Sequence, residues 1–112
     1  MIARVNTGKL EAENIEAARQ FFKEVYVPEQ RNQPGFRGSI LLTRDDGNSL
    51  AVDIYETEEE LIATEHTGWY QKTTSMFDDQ IKGRVRRNLY SVTFAFGLEP
   101  AGEPPAASGE EG

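Results

Sequence analysis

The feature that most constrains this chain is a β-hairpin pattern that lies between two segments of helical periodicity. Residues 36–43 and 50–55 are rich in aliphatic and β-branched side chains, and the turn sequence Asp-Asp-Gly-Asn at 45–48 joins them. On either side, apolar residues recur every three or four positions over residues 15–25 and 69–81, which is the spacing of one helix face. The sequence therefore predicts a helix, a hairpin and a second helix in that order.

A β-type segment at each end of the folded part completes the pattern. Residues 1–7 alternate in polarity before Gly8, and residues 87–96 alternate between an aromatic-rich face and a face of smaller side chains. The resulting order, βαββαβ, predicts an α+β ferredoxin-like fold, in which a four-stranded antiparallel sheet carries both helices on one face.

Three local signals refine the helix boundaries. Pro28 is expected to bend or interrupt the first helix, because proline lacks the backbone donor and clashes with the preceding turn. Thr57 and Glu60 have the spacing of a capping box, which predicts a further short helix that follows Thr57. Gly83 is expected to end the second main helix.

The strand predicted at residues 36–43, the second along the chain, is apolar on both of its faces. Ile40, Leu41 and Leu42 follow one another without alternation, and the first strand places Ile2 on one face and Ala3 on the other. The helices can cover only one side of such a sheet, so the other side needs a cover of its own. We therefore expect a homodimer in which two sheets pack face to face. A monomer with a modestly hydrophobic open face is the alternative.

Composition divides the chain into a folded part, residues 1–96, and an acidic tail rich in proline and glycine, residues 97–112, which is expected to be disordered. The formal net charge of −7 argues against a nucleic-acid partner. Because the sequence has no cysteine and one histidine, thiolate chemistry and a multi-histidine metal site are not expected. No apolar run reaches membrane-spanning length, so a cytoplasmic protein with no membrane association is expected.

Four sequence blocks, taken in order, resemble the antibiotic biosynthesis monooxygenase (ABM) family of dimeric α/β barrels. They are Gln-Pro-Gly-Phe-Arg-Gly at residues 33–38, the hairpin turn at 45–48, the sequence at 55–61, and Trp-Tyr-Gln at 69–71. The likeness spans residues 1–96, which is nearly the whole of the predicted folded part.

The resemblance implies an activity as well as a fold. ABM proteins of known activity oxygenate small phenolic or quinol-like aromatic substrates with molecular oxygen, often without metal or flavin. No cofactor is therefore expected here, and flavin and haem are less favoured options. The alternative function is a non-catalytic dimeric barrel that binds a hydrophobic small molecule or mediates interactions.

The resemblance also implies a pocket between the helices and the sheet. Asn6 is the candidate partner of an oxyanion or of oxygen, since an amide carries two donors and an acceptor. Tyr70 is the candidate hydrogen-bond donor, and His66 is the candidate base, because histidine is the usual proton carrier near neutral pH. The side chains expected to bind the substrate are Trp69, Phe22, Tyr55, Met76 and Phe77.

Each of these candidates also has a purely structural interpretation. Asn6 precedes Thr7 and Gly8, so its amide can serve the end of a strand. His66 can be an exposed residue at a helix end, and the aromatic candidates can be ordinary core. A short basic cluster, formed by Lys82, Arg84, Arg86 and Arg87, also has two interpretations. It can anchor an anion, or it can be a salt-bridged surface. The second is favoured because no glycine-rich phosphate loop accompanies the cluster.

Overall fold

The computed structural model describes residues 1–98, which form a four-stranded sheet with helices packed on one side. The strands are Ile2–Leu10 (β1), Phe36–Thr43 (β2), Asn48–Tyr55 (β3) and Ile81–Ser91 (β4). The helices are Ile15–Phe21 (α1), Val27–Gln30 (α2), Glu58–Glu65 (α3) and Gly68–Asp78 (α4).

The sheet has the strand order β2-β3-β1-β4, and every neighbouring pair of strands is antiparallel. The hairpin pairs β2 with β3, and β1 lies between β3 and β4. The register places Arg4 opposite Asp53 and Asn6 opposite Ala51, and these side chains face the helices. The predicted α+β ferredoxin-like fold is therefore confirmed.

The helical side of the sheet is held by two apolar clusters with polar groups between them. One cluster lies under α1 and α4 and consists of Phe22, Tyr26 and Tyr70. The other lies under α3 and consists of Phe36, Tyr55 and Leu61. Between the clusters, Arg4 and Asp53 have no exposed surface at all. A charged pair at the centre of so small a core must be matched by hydrogen bonds, and it is described with the site below.

The first helical segment contains a π-helical turn, Phe22–Tyr26, that links α1 to α2. The Val27 N–H donates to the carbonyl of Phe22, five residues earlier, and Pro28 follows directly. The interruption predicted at Pro28 takes this form, because the wider turn accommodates the proline ring and its missing donor. The extra residue in the turn directs both Phe22 and Tyr26 toward the sheet, where both are buried.

The capping box predicted at the start of α3 is confirmed. The Thr57 hydroxyl oxygen accepts a hydrogen bond from the Glu60 N–H at 3.2 Å, and the hydroxyl donates to the Glu60 carboxylate at 3.0 Å. Thr67 caps α4 in the same way, since its hydroxyl oxygen accepts from the Tyr70 N–H at 3.3 Å. This second cap starts a new helix after Thr67, so α3 and α4 are two separate helices and not one continuous helix.

The boundaries of α4 and β4 differ from the predicted ones. Helix α4 ends at Asp78, and Gly83, which was expected to end it, lies inside β4 with a φ of 77°. There it forms part of a bulge opposite Gly8, where the register between β1 and β4 shifts. Strand β4 begins earlier and ends earlier than predicted, because β1 starts at Ile2 and offers no partner beyond Ser91.

Three further predictions concern the end of β1, the C-terminal tail and membrane-spanning segments. Strand β1 continues to Leu10, past the predicted end at residue 7, because its last residues pair with the start of β4. The tail predicted for residues 97–112 lies, beyond Leu98, outside the described residues. Among the helices of residues 1–98, none has the length and apolar character needed to cross a membrane.

Candidate functional site

A cavity of about 240 Å³ lies between the helices and the sheet, beside the Phe22 cluster. Most of its wall is apolar and comes from α1, α4 and all four strands; the apolar side chains include Phe21, Phe22, Phe77, Leu10, Leu41, Ile81 and Val85. Polar side chains interrupt this wall at a few places only: Asn6, Ser49, Tyr26, Tyr70, Thr74, Asp78 and Arg87. A largely apolar cavity with a few convergent polar groups is the usual form of a small-molecule site.

Four of the hydrogen-bonding side chains converge on one end of the cavity. In the register of β1 and β4, Asn6 lies opposite Arg87, whereas Leu10 lies opposite Ile81, further along the sheet. Tyr26 from the π-helical turn and Tyr70 from α4 line the same cavity from above. The cavity therefore has a polar end, which we define by Asn6, Arg87, Tyr26 and Tyr70, and an opposite end at the level of Leu10 and Ile81.

Arg87 is fixed at the polar end by a carboxylate from α3. Its Nε and Nη2 each donate to Glu65, both at 2.7 Å, in a two-point contact. The same carboxylate accepts from Arg4 Nη1 at 2.8 Å, so that it bridges two guanidinium groups. Burial alone would raise the pKa of Glu65, but hydrogen bonds from Arg87 and Arg4 outweigh it and lower that pKa. Glu65 therefore holds its negative charge between the two arginines.

Behind the cavity, the Asp53 carboxylate is the centre of a buried network. Arg4 Nη2 donates to Oδ2 at 2.7 Å, and the Tyr26 hydroxyl donates to the same oxygen at 2.8 Å. The other oxygen, Oδ1, accepts from Gln30 Nε2 at 2.9 Å and from the Ser39 hydroxyl at 2.5 Å. With four donors on two oxygens, Asp53 is fully satisfied and acts as a fixed anion that holds Tyr26 in the cavity wall.

The second cavity tyrosine is held by the same arginine. The Arg4 guanidinium carbon lies 4.8 Å from the centre of the Tyr70 ring, a cation–π contact. Burial raises the pKa of both Tyr26 and Tyr70, and the Arg4 charge only partly opposes it. Both hydroxyls therefore remain protonated near neutral pH, and the proton of Tyr26 is already used in its hydrogen bond to Asp53.

Four of the residues that the sequence singled out line this cavity. Asn6 and Tyr70 belong to its polar end, and Phe22 and Phe77 belong to its aromatic wall. The rings of Phe22 and Phe77 meet edge to face, with centroids 5.9 Å apart. The structure thus brings the proposed oxyanion partner, the proposed donor and two proposed wall residues into one space, although their chemical roles remain predictions.

The other four candidates lie elsewhere. His66 is exposed at the end of α3, where its Nδ1 contacts the Ile62 carbonyl at 2.9 Å. Trp69 packs against the outer side of Tyr70 and does not line the cavity. Tyr55 is fully buried in the cluster with Phe36 and donates to Gln30, and Met76 is half exposed on α4. For Trp69 and Met76 the reason is the phase of α4, which its own cap at Thr67 sets.

Several cavity residues were not proposed from the sequence: Tyr26, Arg87, Asp78 and Thr74, with Glu65 behind them. A signal for Tyr26 was present, because it follows Phe22 by four residues. Arg87 was noticed only as part of a basic cluster, of which Lys82 pairs with Glu11 at 3.5 Å on the surface. Within residues 1–98, no group of three or more histidine or acidic side chains is arranged to hold a metal ion.

Comparison with known proteins identifies solved structures that share this fold. No established protein family profile matches the sequence, and no curated protein matches it. Solved structures do match. A candidate antibiotic biosynthesis monooxygenase of Nitrosomonas europaea superposes with a TM-score of 0.70 at 16% identity, over 84% of this chain and 100% of that one. The fold is that of the antibiotic biosynthesis monooxygenases.

Two further structures carry the same name and the same ABM fold. The candidate monooxygenase of Deinococcus radiodurans gives a TM-score of 0.70 at 12% identity, over 89% of this chain and 100% of that one. That of Caulobacter crescentus gives 0.69 at 17% identity, over 83% and 90%. The resemblance inferred from the sequence is therefore confirmed for the ABM fold, and the chain spans nearly the full length of these structures.

Proposed function

We propose that this protein is a cofactor-independent monooxygenase that acts on a small phenolic or quinol-like aromatic substrate with molecular oxygen. The observation that carries the proposal is the two-ended cavity, in which an aromatic wall leads to four hydrogen-bonding side chains from four different elements. The ABM fold, shared with structures named as candidate monooxygenases, supports the same reaction class.

The cavity suits a compact, flat substrate. Its volume of about 240 Å³ lies below the ~300–1,000 Å³ of pockets for drug-sized ligands. Phe21 and Phe77 stack with ring centroids 5.6 Å apart, and Phe22 closes the wall beside them. An aromatic substrate would lie against these rings and place an oxygen substituent at the polar end, near Asn6.

The chemistry requires proton removal and stabilisation of the anion that results. We assign proton removal to Asp78, the carboxylate on the cavity wall, and stabilisation of the oxyanion to the Asn6 amide and the Tyr70 hydroxyl. The substrate anion then reduces oxygen. In the keto tautomer of an anthrol, such as anthrone, the CH₂ carbon of the ring becomes a carbonyl that carries one oxygen atom, and the other oxygen atom leaves as water, so that the substrate supplies all the electrons.

Oxygen uptake tests the proposal directly. We expect the purified protein, with no added flavin, haem or metal, to consume oxygen with members of a panel of quinols and anthrols, among them anthrone. Oxygen consumed and carbonyl product formed should be equimolar, without accumulation of hydrogen peroxide. An oxygen trace no faster than that of the heat-denatured protein, across the panel, would contradict the proposal.

A non-catalytic binding protein is the second candidate. It is favoured by the position of His66, the only histidine in the sequence, which lies outside the cavity and cannot serve there as a base. This alternative predicts that aromatic ligands raise the melting temperature without oxygen uptake, because a ligand that binds only the native state stabilises it.

We also propose that the protein is a homodimer. The sheet face that points away from the helices presents apolar side chains from every strand: Val5, Ile40, Leu42, Leu50, Val52 and Tyr90. Ile40 is 49% exposed and Leu42 is 48% exposed in the single chain. A second copy that packs the same face would cover this surface by two-fold symmetry.

Replacement of Ile40 by glutamate should dissociate the dimer. A buried and unpaired carboxylate within the interface would weaken self-association by about 100-fold or more. Sedimentation velocity should show a dimer for the parent and a monomer for Ile40→Glu. Met76→Glu is the matched control, because Met76 is also half exposed but lies on the helical side, and this variant should stay dimeric. A monomeric parent at micromolar concentration would contradict the proposal.

A further inference from the structure

We infer that Glu65 determines the charge of the ligand that the cavity accepts, so that it selects an uncharged hydroxy-aromatic molecule over an aromatic acid. The inference rests on the proposed function, since it concerns the substrate class of the same cavity. It assigns a role in specificity to a residue that does not line the cavity itself.

The contacts of Arg87 carry the first step. Arg87 is the one cationic side chain among the lining residues that the structure describes, and it is the natural anchor for an anion. Two of its donors, Nε and Nη2, are already used by the Glu65 carboxylate at 2.7 Å. An incoming carboxylate would meet a guanidinium whose best two-point face is occupied and whose charge is neutralised at contact distance.

The remaining charges around the polar end do not restore a positive potential. Arg4 is balanced by Asp53 at 2.7 Å, and the two arginines and two carboxylates of this cluster sum to zero. Asp78 adds a further carboxylate to the cavity wall. An anionic ligand would therefore lose its hydration without a net positive partner, whereas a neutral phenol loses little and gains the donors of Asn6 and Tyr70.

A pair of probes that share a naphthalene ring and differ in the charge of the substituent tests the inference. We would measure binding of 2-naphthol, which is neutral at pH 7, and of 2-naphthoate, which is an anion at that pH, by calorimetry. The parent is expected to bind 2-naphthol at least tenfold more tightly than 2-naphthoate. In Glu65→Gln, which frees the Arg87 charge, the ratio should shift by at least tenfold toward 2-naphthoate.

Two more variants identify the route of the effect. Glu16→Gln is the matched control, because Glu16 makes the same two-point contact with Arg19 on the surface of α1, and it should leave the ratio unchanged. In the double variant Glu65→Gln/Arg87→Gln, the gain for 2-naphthoate should disappear, because Glu65 acts through Arg87. Should Glu65→Gln fail to fold, the single variant Arg87→Gln tests the inference. Its ratio of affinities should move further toward 2-naphthol than that of the parent.

The outcomes separate this inference from the proposed function. A parent that binds neither probe, or prefers 2-naphthoate, overturns the inference, and so does an unchanged ratio in Glu65→Gln. A gain that persists in the double variant also overturns it, because the effect would then not pass through Arg87. A shifted ratio in a protein that takes up no oxygen supports the inference as a property of ligand binding and refutes the monooxygenase proposal alone.

Discussion

Asp53→Asn is expected to lower the free energy of unfolding by about 3 kcal/mol, the lower end of the range for breaking a buried ion pair from one side. The substitution keeps the shape of the side chain and removes its charge. Arg4, which has no exposed surface, would lose the partner at 2.7 Å. The loss stays near the lower end because Glu65 still pairs with Arg4 at 2.8 Å.

The network around Asp53 gives a second reason for a large effect. An asparagine oxygen can replace only one of the two carboxylate oxygens, and the amide NH₂ would point a donor at two existing donors. Either orientation leaves donors unmatched, whether those of Arg4 and Tyr26 or those of Gln30 and Ser39. Tyr26 would then lose part of its anchorage at the polar end of the cavity.

Urea denaturation followed by circular dichroism measures this effect. The midpoint should fall with little change in the slope of the transition, because the same surface is exposed on unfolding. Glu16→Gln removes one charge of an exposed Glu–Arg pair and should leave the midpoint unchanged within error. An Asp53→Asn midpoint equal to that of Glu16→Gln would show that the buried pair does not stabilise the fold as we describe.

The order of elements and the hairpin could be read from the sequence because their signals are local. Turn residues at 45–48, the Thr57 capping box and the apolar periodicity all act within a few positions along the chain. The start of β4 could not be read in this way. Gly83 suits both a helix end and a bulge, and only the pairing of β4 with β1 decides between them.

The buried charges are a clear limit of sequence reasoning. Arg4 and Asp53 lie in alternating strands and read as solvent-facing residues, yet they occupy the helical face because Leu50, Val52 and Ile54 face the other way. A sheet with apolar side chains on its open face inverts the usual inside-outside assignment. The register that pairs the two strands is needed to see that the two charges meet.

The candidate site could be predicted from the sequence only where local periodicity decides which way a side chain faces. Asn6 and Phe22 follow from the strand and helix periodicities, and both line the cavity. His66 was proposed for its chemistry and Trp69 from the family resemblance, and neither choice fixes the direction of the side chain, which depends on the cap at Thr67 that separates α3 from α4. The position of Arg87 in the cavity wall depends on the bulge at Gly83. A register shift of one residue moves every later side chain of the strand to the opposite face of the sheet.

Replacement of Asn6 by alanine is expected to reduce the turnover number for oxygen uptake by about 100-fold to 1,000-fold, as for loss of one preorganised oxyanion donor. The Asn6 amide lies on a strand, opposite Arg87, and so is held by the sheet and needs no rearrangement as charge develops on the substrate oxygen. Because this contact strengthens only when the anion forms, KM should change much less than kcat.

Initial rates of oxygen uptake against substrate concentration, with the best substrate of the panel, give both constants. Asn32→Ala is the matched control, because it removes the same amide from an exposed position between α2 and β2, and it should behave as the parent does. If Asn6→Ala instead raised KM with kcat unchanged, Asn6 would bind substrate and transition state equally. If neither constant moved, the amide would not contact the reacting oxygen, and stabilisation of the anion would have to come from Tyr70.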